Sequence, residues 1–200
     1  MTAKPETDEE MAAIRVSGNV TPHNAPIELS PYDPAWPAHF AEEAGFIRRA
    51  LGEKALVLEH VGSTSIPGLS AKPIIDILLA VADSADEAAY VPQLSANGFR
   101  LHLREPDWEQ HRVMKGERRL VNLHVFTQGS REIARMLGFR DWLRTHPDEL
   151  ALYERTKREL AARTWRHVQH YANAKSEVVE AILERALAGA PTAGEVGQRA

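Results

Sequence analysis

The most informative stretch of this chain is EHVGSTSIPGLSAKPIIDILLAV, residues 59–81. It predicts a short strand, a Gly-Ser-Thr turn, a loop of small residues and a second strand that carries Asp76 inside an apolar run. A Gly-Ser turn can present backbone N–H groups and hydroxyls to a phosphate. Burying a lone carboxylate costs on the order of several kcal/mol unless it is paired or holds a metal ion. The stretch therefore indicates a metal-phosphate site; plain turns and a structural partner for Asp76 are the alternative interpretation.

Outside this stretch, apolar periodicity predicts a mixed sheet followed by a helical half, hence an α+β or α/β fold. Strands are predicted over residues 55–61, 73–81 and 99–103, and a hairpin over residues 111–114 and 120–126. Helices are predicted over residues 34–51, 83–97, 131–145, 147–164 and 167–188.

Length and composition limit the class of protein. Two hundred residues make one domain, and a net charge of −4 disfavours bulk binding to nucleic acid. The absence of cysteine excludes disulfides and thiolate chemistry. The polar, acidic start lacks a signal-peptide pattern, and residues 73–82 are too short to span a membrane. We expect a cytoplasmic protein with a flexible arm over residues 1–27, a domain over 28–188 and a flexible tail over 189–200; the sequence predicts no oligomeric state.

Residues 60–76, HVGSTSIPGLSAKPIID, resemble the signature of the GrpB family of small bacterial proteins, H-[IV]-G-S-T-[AS]-[IV]-P-G-L-x-A-K-P-[IV]-[IV]-D. The resemblance covers roughly residues 27–187 and extends to SPYDPAWP at 30–37, NLHV at 122–125, FRDWLR at 139–144, Tyr171 and Lys175-Ser176. The family is similar to the nucleotidyltransferase superfamily. The resemblance therefore implies a nucleotidyltransferase-like mixed sheet flanked by helices, with a helical C-terminal half.

In nucleotidyltransferases the Gly-Ser turn holds a triphosphate, and three acids on two strands bind two metal ions. The resemblance implies an NTP as substrate, a divalent ion, Mg²⁺ or Mn²⁺, at Asp76, and phosphate contacts from the turn. The turn residues are Gly62, Ser63, Thr64 and Ser65.

The chain departs from that pattern in its acids. Ile74 and Leu78 share a strand face with Asp76, so no second acid lies beside it. The strand expected to supply the third acid offers Asn122 and His124 instead. One carboxylate and one imidazole, Asp76 and His124, could hold a single metal ion.

Further candidates surround the motif. His60 is either a base or phosphate donor, or a strand histidine with a satisfied hydrogen bond. His124 is a ligand or acid–base group, or a packed polar residue. Lys72 could meet a phosphate or pair structurally with Asp76.

Two more sets are open to both a site role and a surface role. Tyr171 and Lys175 are four positions apart on a predicted helix and can reach one spot. Arg112 belongs to a basic hairpin that is either a solvated face or a phosphate-binding patch. The other basic residues of this hairpin are Lys115, Arg118 and Arg119. Helix surface pairing is predicted for Arg140, Asp141, Arg144 and His146.

Three functions stay open. The first is nucleotidyl transfer from an NTP to an unknown acceptor, with Asp76, His124 and His60 as catalytic residues. The second is a non-catalytic nucleotide- or phosphate-binding module that regulates a partner. Because the family domain is sometimes fused to a dephospho-coenzyme A kinase, the resemblance links this module to coenzyme A metabolism; the chain itself has no kinase P-loop. The third is a phosphate-handling enzyme with His60 or His124 as its general base.

Overall fold

The computed structural model describes residues 7–189. Its five strands are β1 (Val57–Val61), β2 (Ile75–Val81), β3 (Phe99–Glu105), β4 (His111–Gly116) and β5 (Val121–Thr127). Its α-helices are α1 (Asp8–Ala13), α2 (Trp36–Leu51), α3 (Val91–Ser95), α4 (Arg131–Thr145), α5 (Pro147–Ala161), α6 (Val168–Ala174) and α7 (Ser176–Gly189). The predicted tail, apart from residue 189, and the first six residues of the predicted arm lie outside this range.

The strands form one mixed sheet in the order β1-β2-β5-β4-β3. β2 and β5 run parallel, and the other three pairs are antiparallel. The predicted mixed sheet and helical C-terminal half are therefore confirmed. The parallel register sets Asp76 beside Asn122 and Leu78 beside His124, which brings the polar residues of two strands together.

Different helices cover the two faces of the sheet. On one face α2 and α3 pack over residues such as Ile77 and Leu79, while on the other α4 packs over Leu78 and Phe126. Full burial of such a side chain stabilises the fold by about 1.5–3 kcal/mol. Every residue of β2 is buried except Asp76, which shares its face with Leu78. The single acid of β2 therefore occupies the one position of this strand that is not buried.

The C-terminal helices pack against the loop that follows the Gly-Ser-Thr turn. Ile66 and Leu69 of this loop are fully buried against Leu143 of α4, Tyr153 of α5 and Ile182 of α7. The loop of small residues is therefore anchored by apolar contacts at its middle, and this fixes the turn before it.

Two predicted helices differ from the structure. Residues 83–97 hold only a 3-10 turn, Glu87–Ala89, and the short α3. The Asp83 side chain accepts a hydrogen bond from the backbone of Ala85 at 2.8 Å, and such a local bond favours a turn over a helix. The helix predicted over residues 167–188 is divided into α6 and α7, with Lys175 between them.

The predicted arm contains α1, in which Met11 is buried. Residues at both ends of this helix contact the domain. Asp8 pairs with Arg166 at 2.5 Å and with His167 at 2.7 Å, and Arg15 bridges to Leu103 of β3. The division between arm and domain at residue 28 stays a prediction. Within residues 7–189, no helix combines the length and the apolar character that a membrane crossing requires.

Candidate anion-binding site

The Gly-Ser turn lies directly against Asp76. β1 ends at Val61, and Gly62 then adopts φ 67°, a conformation that favours glycine. A Cβ atom at this position would lie 2.4 Å from Oδ2 of Asp76. The structure thus brings together the two parts of the motif, the turn and the acid.

Hydrogen bonds engage all three hydroxyls of the turn, that of Ser63 with Tyr153. Ser65 donates to the carbonyl of Gly62 at 2.6 Å, and Thr64 donates to the carbonyl of Ile74 at 3.2 Å. Ser63 and Thr64 line a cavity in front of Asp76, whereas Ser65 does not. Ser65 was predicted to contact phosphate. In the structure its hydroxyl stabilises the turn and does not reach the cavity.

His60 supports this turn from the other face of the sheet. It is buried, stacks on Phe40 with ring centroids 4.9 Å apart, and has its Nε2 3.0 Å from the Thr64 hydroxyl. Burial lowers the pKa of His60 to about 4, so the ring is neutral near pH 7. Because the Thr64 proton goes to Ile74, Nε2 of His60 donates to Thr64. This geometry corresponds to the strand histidine with a satisfied hydrogen bond.

Two arginines of α4 donate hydrogen bonds to the turn and to the end of β1 that precedes it. Sequence reasoning missed this role. Arg140 donates to the carbonyl of His60 at 2.9 Å and to the Glu59 carboxylate at 2.8 Å. Arg144 donates to the carbonyl of Ser65 at 2.7 and 3.2 Å. Their spacing of four residues on α4 predicted a shared face, but only the tertiary packing shows that this face meets the turn.

Asp76 accepts a hydrogen bond from Nδ2 of Asn122 at 2.7 Å through Oδ1. Nε2 of His124 lies 3.6 Å from the same oxygen. Burial alone would raise the pKa of Asp76, but the hydrogen bond and positive charge that His124 supplies in its imidazolium form, the bond from Asn122 and the charge of Lys72 outweigh it and hold the pKa below its usual value. The carboxylate is therefore ionised at neutral pH.

Lysines from four separate elements lie near this carboxylate: Lys72, Lys157 and Lys175 line the same cavity, and Lys115 donates to Oδ1 of Asn122. The sequence has six lysines, of which five are described, and Asp76 acts electrostatically on four of these five. The four are Lys72 before β2, Lys115 on β4, Lys157 on α5 and Lys175 between α6 and α7. The remaining described lysine, Lys54, is exposed and donates to the carbonyl of Ala89 at 2.9 Å.

Burial lowers the pKa of all four lysines, and that of Lys157 falls to about 7. Repulsion from Lys175 adds to this effect at Lys72 and Lys157. Glu154 also attracts Lys157, but it is paired with Arg158 at 2.6 Å. The lysines outnumber the single carboxylate of Asp76, so the site has an excess of basic groups that a bound anion would compensate.

The space in front of Asp76 is a cavity of about 110 Å³. Tyr171 lines it with a side chain that is 1% exposed, and its hydroxyl has no hydrogen-bond partner among the described residues. A buried hydroxyl without a partner is costly unless a ligand or water supplies one. The polar residues that line the cavity are Ser63, Thr64, Lys72, Asp76, Asn122, Lys157, Tyr171 and Lys175.

The structure brings most of the predicted phosphate contacts to this cavity but separates Arg112 from it. Arg112 is buried on β4, pairs with Glu87 at 2.7 Å and donates to the carbonyl of Gln110 at 2.8 Å. These bonds hold the segment of residues 84–90 instead. Sequence reasoning missed Lys157, whose ammonium contacts the carbonyl of Ser70, because a lysine on a helix face gives no sign of where it points.

The donors at Asp76 do not fit the metal site that the resemblance implies. Within residues 7–189, no three His, Asp or Glu side chains converge as metal ligands would. Near Asp76 the donors are one carboxylate and one imidazole nitrogen, whereas Mg²⁺ prefers oxygen ligands. Four lysines around the pair would also repel a cation. The residues around Asp76 therefore suit an anion better than a metal ion.

Fold and site together define a class of protein, a single α+β domain that presents an electropositive cavity beside a Gly-Ser turn. The chain belongs to the GrpB family, since the family's model, described as GrpB protein, matches residues 26–185. A UPF0157 protein of Halalkalibacterium halodurans is 58% identical over 182 residues, which make up 91% of this chain and 93% of that protein.

Solved structures and a longer relative add to this. The crystal structure of conserved protein GrpB from Enterococcus faecalis has 30% identity and a TM-score of 0.71, over 80% of this chain and 98% of that chain. A dephospho-CoA kinase of Mycolicibacterium paratuberculosis is 30% identical over 196 residues, 85% of this chain and 48% of that protein. Cid1 poly(U) polymerase has a TM-score of 0.42 at 12% identity, over 64% of this chain and 45% of that chain.

Proposed function

We propose that this protein binds a nucleotide or another phosphorylated small molecule by its phosphates, in the cavity in front of Asp76. One observation carries the proposal: three of the five described lysines line one cavity with a single carboxylate beside a Gly-Ser turn, and that carboxylate also acts on a fourth lysine, Lys115. Lysine readily loses its proton when it is buried without a counterion, and a bound anion removes that penalty.

The groups that face the cavity favour phosphate over other anions. Lys72, Lys157, Lys175 and the Tyr171 hydroxyl are hydrogen-bond donors, and phosphate oxygens are acceptors. A polyphosphate carries several negative charges and so matches an excess of several lysines better than a carboxylate does.

The cavity is small for a whole nucleotide. Its volume of about 110 Å³ lies below the roughly 300–1,000 Å³ of pockets that enclose a complete small-molecule ligand. We therefore expect the phosphates to enter it and the nucleoside to lie at its mouth.

We extend the proposal to nucleotidyl transfer from an NTP to an acceptor, on the strength of the family resemblance. In such a reaction the lysines would neutralise the charge that develops on the leaving phosphates. Binding without turnover, by a module linked to coenzyme A metabolism, is the second candidate. It is favoured by the relative named dephospho-CoA kinase, in which the part similar to this chain makes up 48% of the protein.

Thermal shift and calorimetry test the binding step. The ligands are inorganic phosphate, pyrophosphate, triphosphate, the four NTPs and dephospho-coenzyme A, each with EDTA, Mg²⁺ or Mn²⁺. We expect stabilisation by polyphosphates in EDTA, about 2.7 kcal/mol at a hundredfold excess over Kd. The effect should be lost in Lys175→Gln and kept in Lys54→Gln, whose lysine lies outside the cavity. Stabilisation that requires a metal ion and is unchanged in Lys175→Gln would contradict the proposal.

An assay for pyrophosphate release from the NTP that binds then separates the two candidates. Release that depends on an added acceptor supports transfer, whereas tight binding with no release over hours supports the binding module.

A further inference from the structure

Four titratable side chains form a line across the sheet and end at the cavity. Oε2 of Glu105 lies 2.7 Å from Nδ1 of His111, and Nε2 of His111 lies 3.1 Å from Nδ1 of His124. Nε2 of His124 lies 3.6 Å from Oδ1 of Asp76. The line follows the strand order β3, β4, β5, β2, so each strand supplies one member.

The first two members fix the direction of the hydrogen bonds. An ionised carboxylate can only accept, so Nδ1 of His111 donates to Glu105. His111 is 2% exposed, and burial lowers its pKa to about 4. It is therefore neutral near pH 7 and has one ring proton, which is on Nδ1. Its Nε2 can then only accept.

This direction determines the proton of His124. Since Nε2 of His111 is an acceptor, the contact at 3.1 Å requires Nδ1 of His124 to donate. In neutral His124 the other nitrogen, Nε2, then carries a lone pair. That lone pair faces Oδ1 of Asp76, also an acceptor, across 3.6 Å. Two acceptors in this arrangement call for a donor between them or a shared proton.

Packing holds His111 in its orientation. Its ring stacks on Phe126 with centroids 4.4 Å apart, and Trp108 meets it edge-on at 4.8 Å. His111 also has a hydrogen-bond partner at each ring nitrogen, Glu105 at Nδ1 and His124 at Nε2. The packing therefore keeps both bonds aligned along the line.

We infer that Glu105 and His111 are positioning residues that hold His124 in its Nδ1–H tautomer, and that Nε2 of His124, beside Asp76, accepts the proton of a hydroxyl group of the bound acceptor. The role of an acceptor hydroxyl rests on the proposed function, whereas the tautomer of His124 does not. In the step, the O–H bond breaks, its proton passes to Nε2 and the electron pair stays on oxygen. That oxygen forms a bond to phosphorus while the bond from phosphorus to the leaving phosphate breaks. The Asp76 carboxylate stabilises the imidazolium ion that results.

Nitrogen NMR of the ligand-free protein tests the tautomer directly. With ¹⁵N-labelled histidine at pH 8, the shifts of Nδ1 and Nε2 identify which nitrogen of His124 is protonated. We expect the Nδ1–H form in roughly tenfold excess, the ratio that one strong hydrogen bond supports. In His111→Phe, which keeps the ring and removes both nitrogens, the Nε2–H form should dominate because it can donate to Asp76.

Glu105→Gln tests the same idea without disturbing the packing of the rings, and is decisive if His111→Phe does not fold. It should lower the Nδ1–H excess several-fold, while Glu109→Gln, which changes a carboxylate of the loop after β3 that pairs with Arg131, should leave the excess unchanged. An Nε2–H tautomer in the wild type, or a ratio unaffected by Glu105→Gln, would overturn the inference. Neither result depends on phosphate binding, so failure here is distinct from failure of the proposed function.

Discussion

Gly62 lies so close to Asp76 that a β-carbon on the glycine would be 2.4 Å from Oδ2 of the carboxylate. Fourteen positions separate the two residues in sequence, yet they are in contact because β1 and β2 are antiparallel neighbours. The register pairs Val61, which precedes the glycine, with Asp76. The turn and the acid therefore cannot be changed independently of each other.

Gly62→Ala should destabilise the protein by about 1–3 kcal/mol, because it forces a side chain into a left-handed conformation and against Asp76. Phosphate affinity should fall at the same time, since the turn must shift. Denaturant unfolding measures the first effect and calorimetry the second. Gly138→Ala is the matched control: it lies in α4 with open space around it, and should be neutral or stabilising by up to about 1 kcal/mol. Equal effects of the two changes would contradict the role of the close contact.

Asp76→Asn should lower the stability of the ligand-free protein but retain polyphosphate binding in EDTA. The change removes the carboxylate from a ring of lysines and leaves their mutual repulsion uncompensated. A bound polyphosphate then supplies the missing negative charge, so the stabilisation by triphosphate should be larger than in the wild type. Thermal shift with and without triphosphate measures this. Loss of binding in Asp76→Asn, together with a Mg²⁺ requirement in the wild type, would point instead to a metal-phosphate site.

The sequence predicted the fold in its main parts because the apolar periods of β1, β2, β5 and α2 are regular. It failed over residues 83–97, where the side chain of Asp83 bonds to the backbone and competes with helix formation.

The candidate site was predicted only where chain neighbours supply it. The turn and Asp76 belong to one motif, whereas Lys115 and Lys157 reach Asp76 from distant elements. Arg112 is the opposite case. The sequence placed it among the candidate phosphate contacts, but its side chain pairs with Glu87 away from the cavity. The spacing of residues along one element does not tell which distant element a side chain will contact.

Arg144→Ala should weaken phosphate binding several-fold and destabilise the protein by about 1–2 kcal/mol. The guanidinium donates two hydrogen bonds to the carbonyl of Ser65, and their loss leaves this part of the turn without its anchor. Arg155→Ala, an exposed arginine on α5, is the control and should change neither quantity by more than about 0.5 kcal/mol. If the two variants bind triphosphate equally well, Arg144 is not needed to shape the site.

The stability of the ligand-free protein should rise with pH between about 7 and 10. Burial holds the pKa of Lys157 at about 7 in the folded state, below its ordinary value of 10.5. Between these values the unfolded chain binds more protons than the folded one, so raising the pH favours the folded state. One such lysine contributes at most about 1.4 kcal/mol per pH unit, and the other three lysines act in the same direction.

Urea unfolding at pH 7, 8, 9 and 10 measures this slope, and Lys157→Met should reduce it by up to one proton's worth. Saturating triphosphate should also flatten this slope, because the anion favours the protonated lysines. Binding of triphosphate at pH 8 should therefore take up protons. Calorimetry detects this uptake as a dependence of the binding enthalpy on the ionisation heat of the buffer. Lys54→Met, a change at an exposed lysine, should leave the slope as it is. A slope that stays the same in Lys157→Met would mean that Lys157 is already compensated in the folded protein, and the proposed need for a bound anion would fall with it.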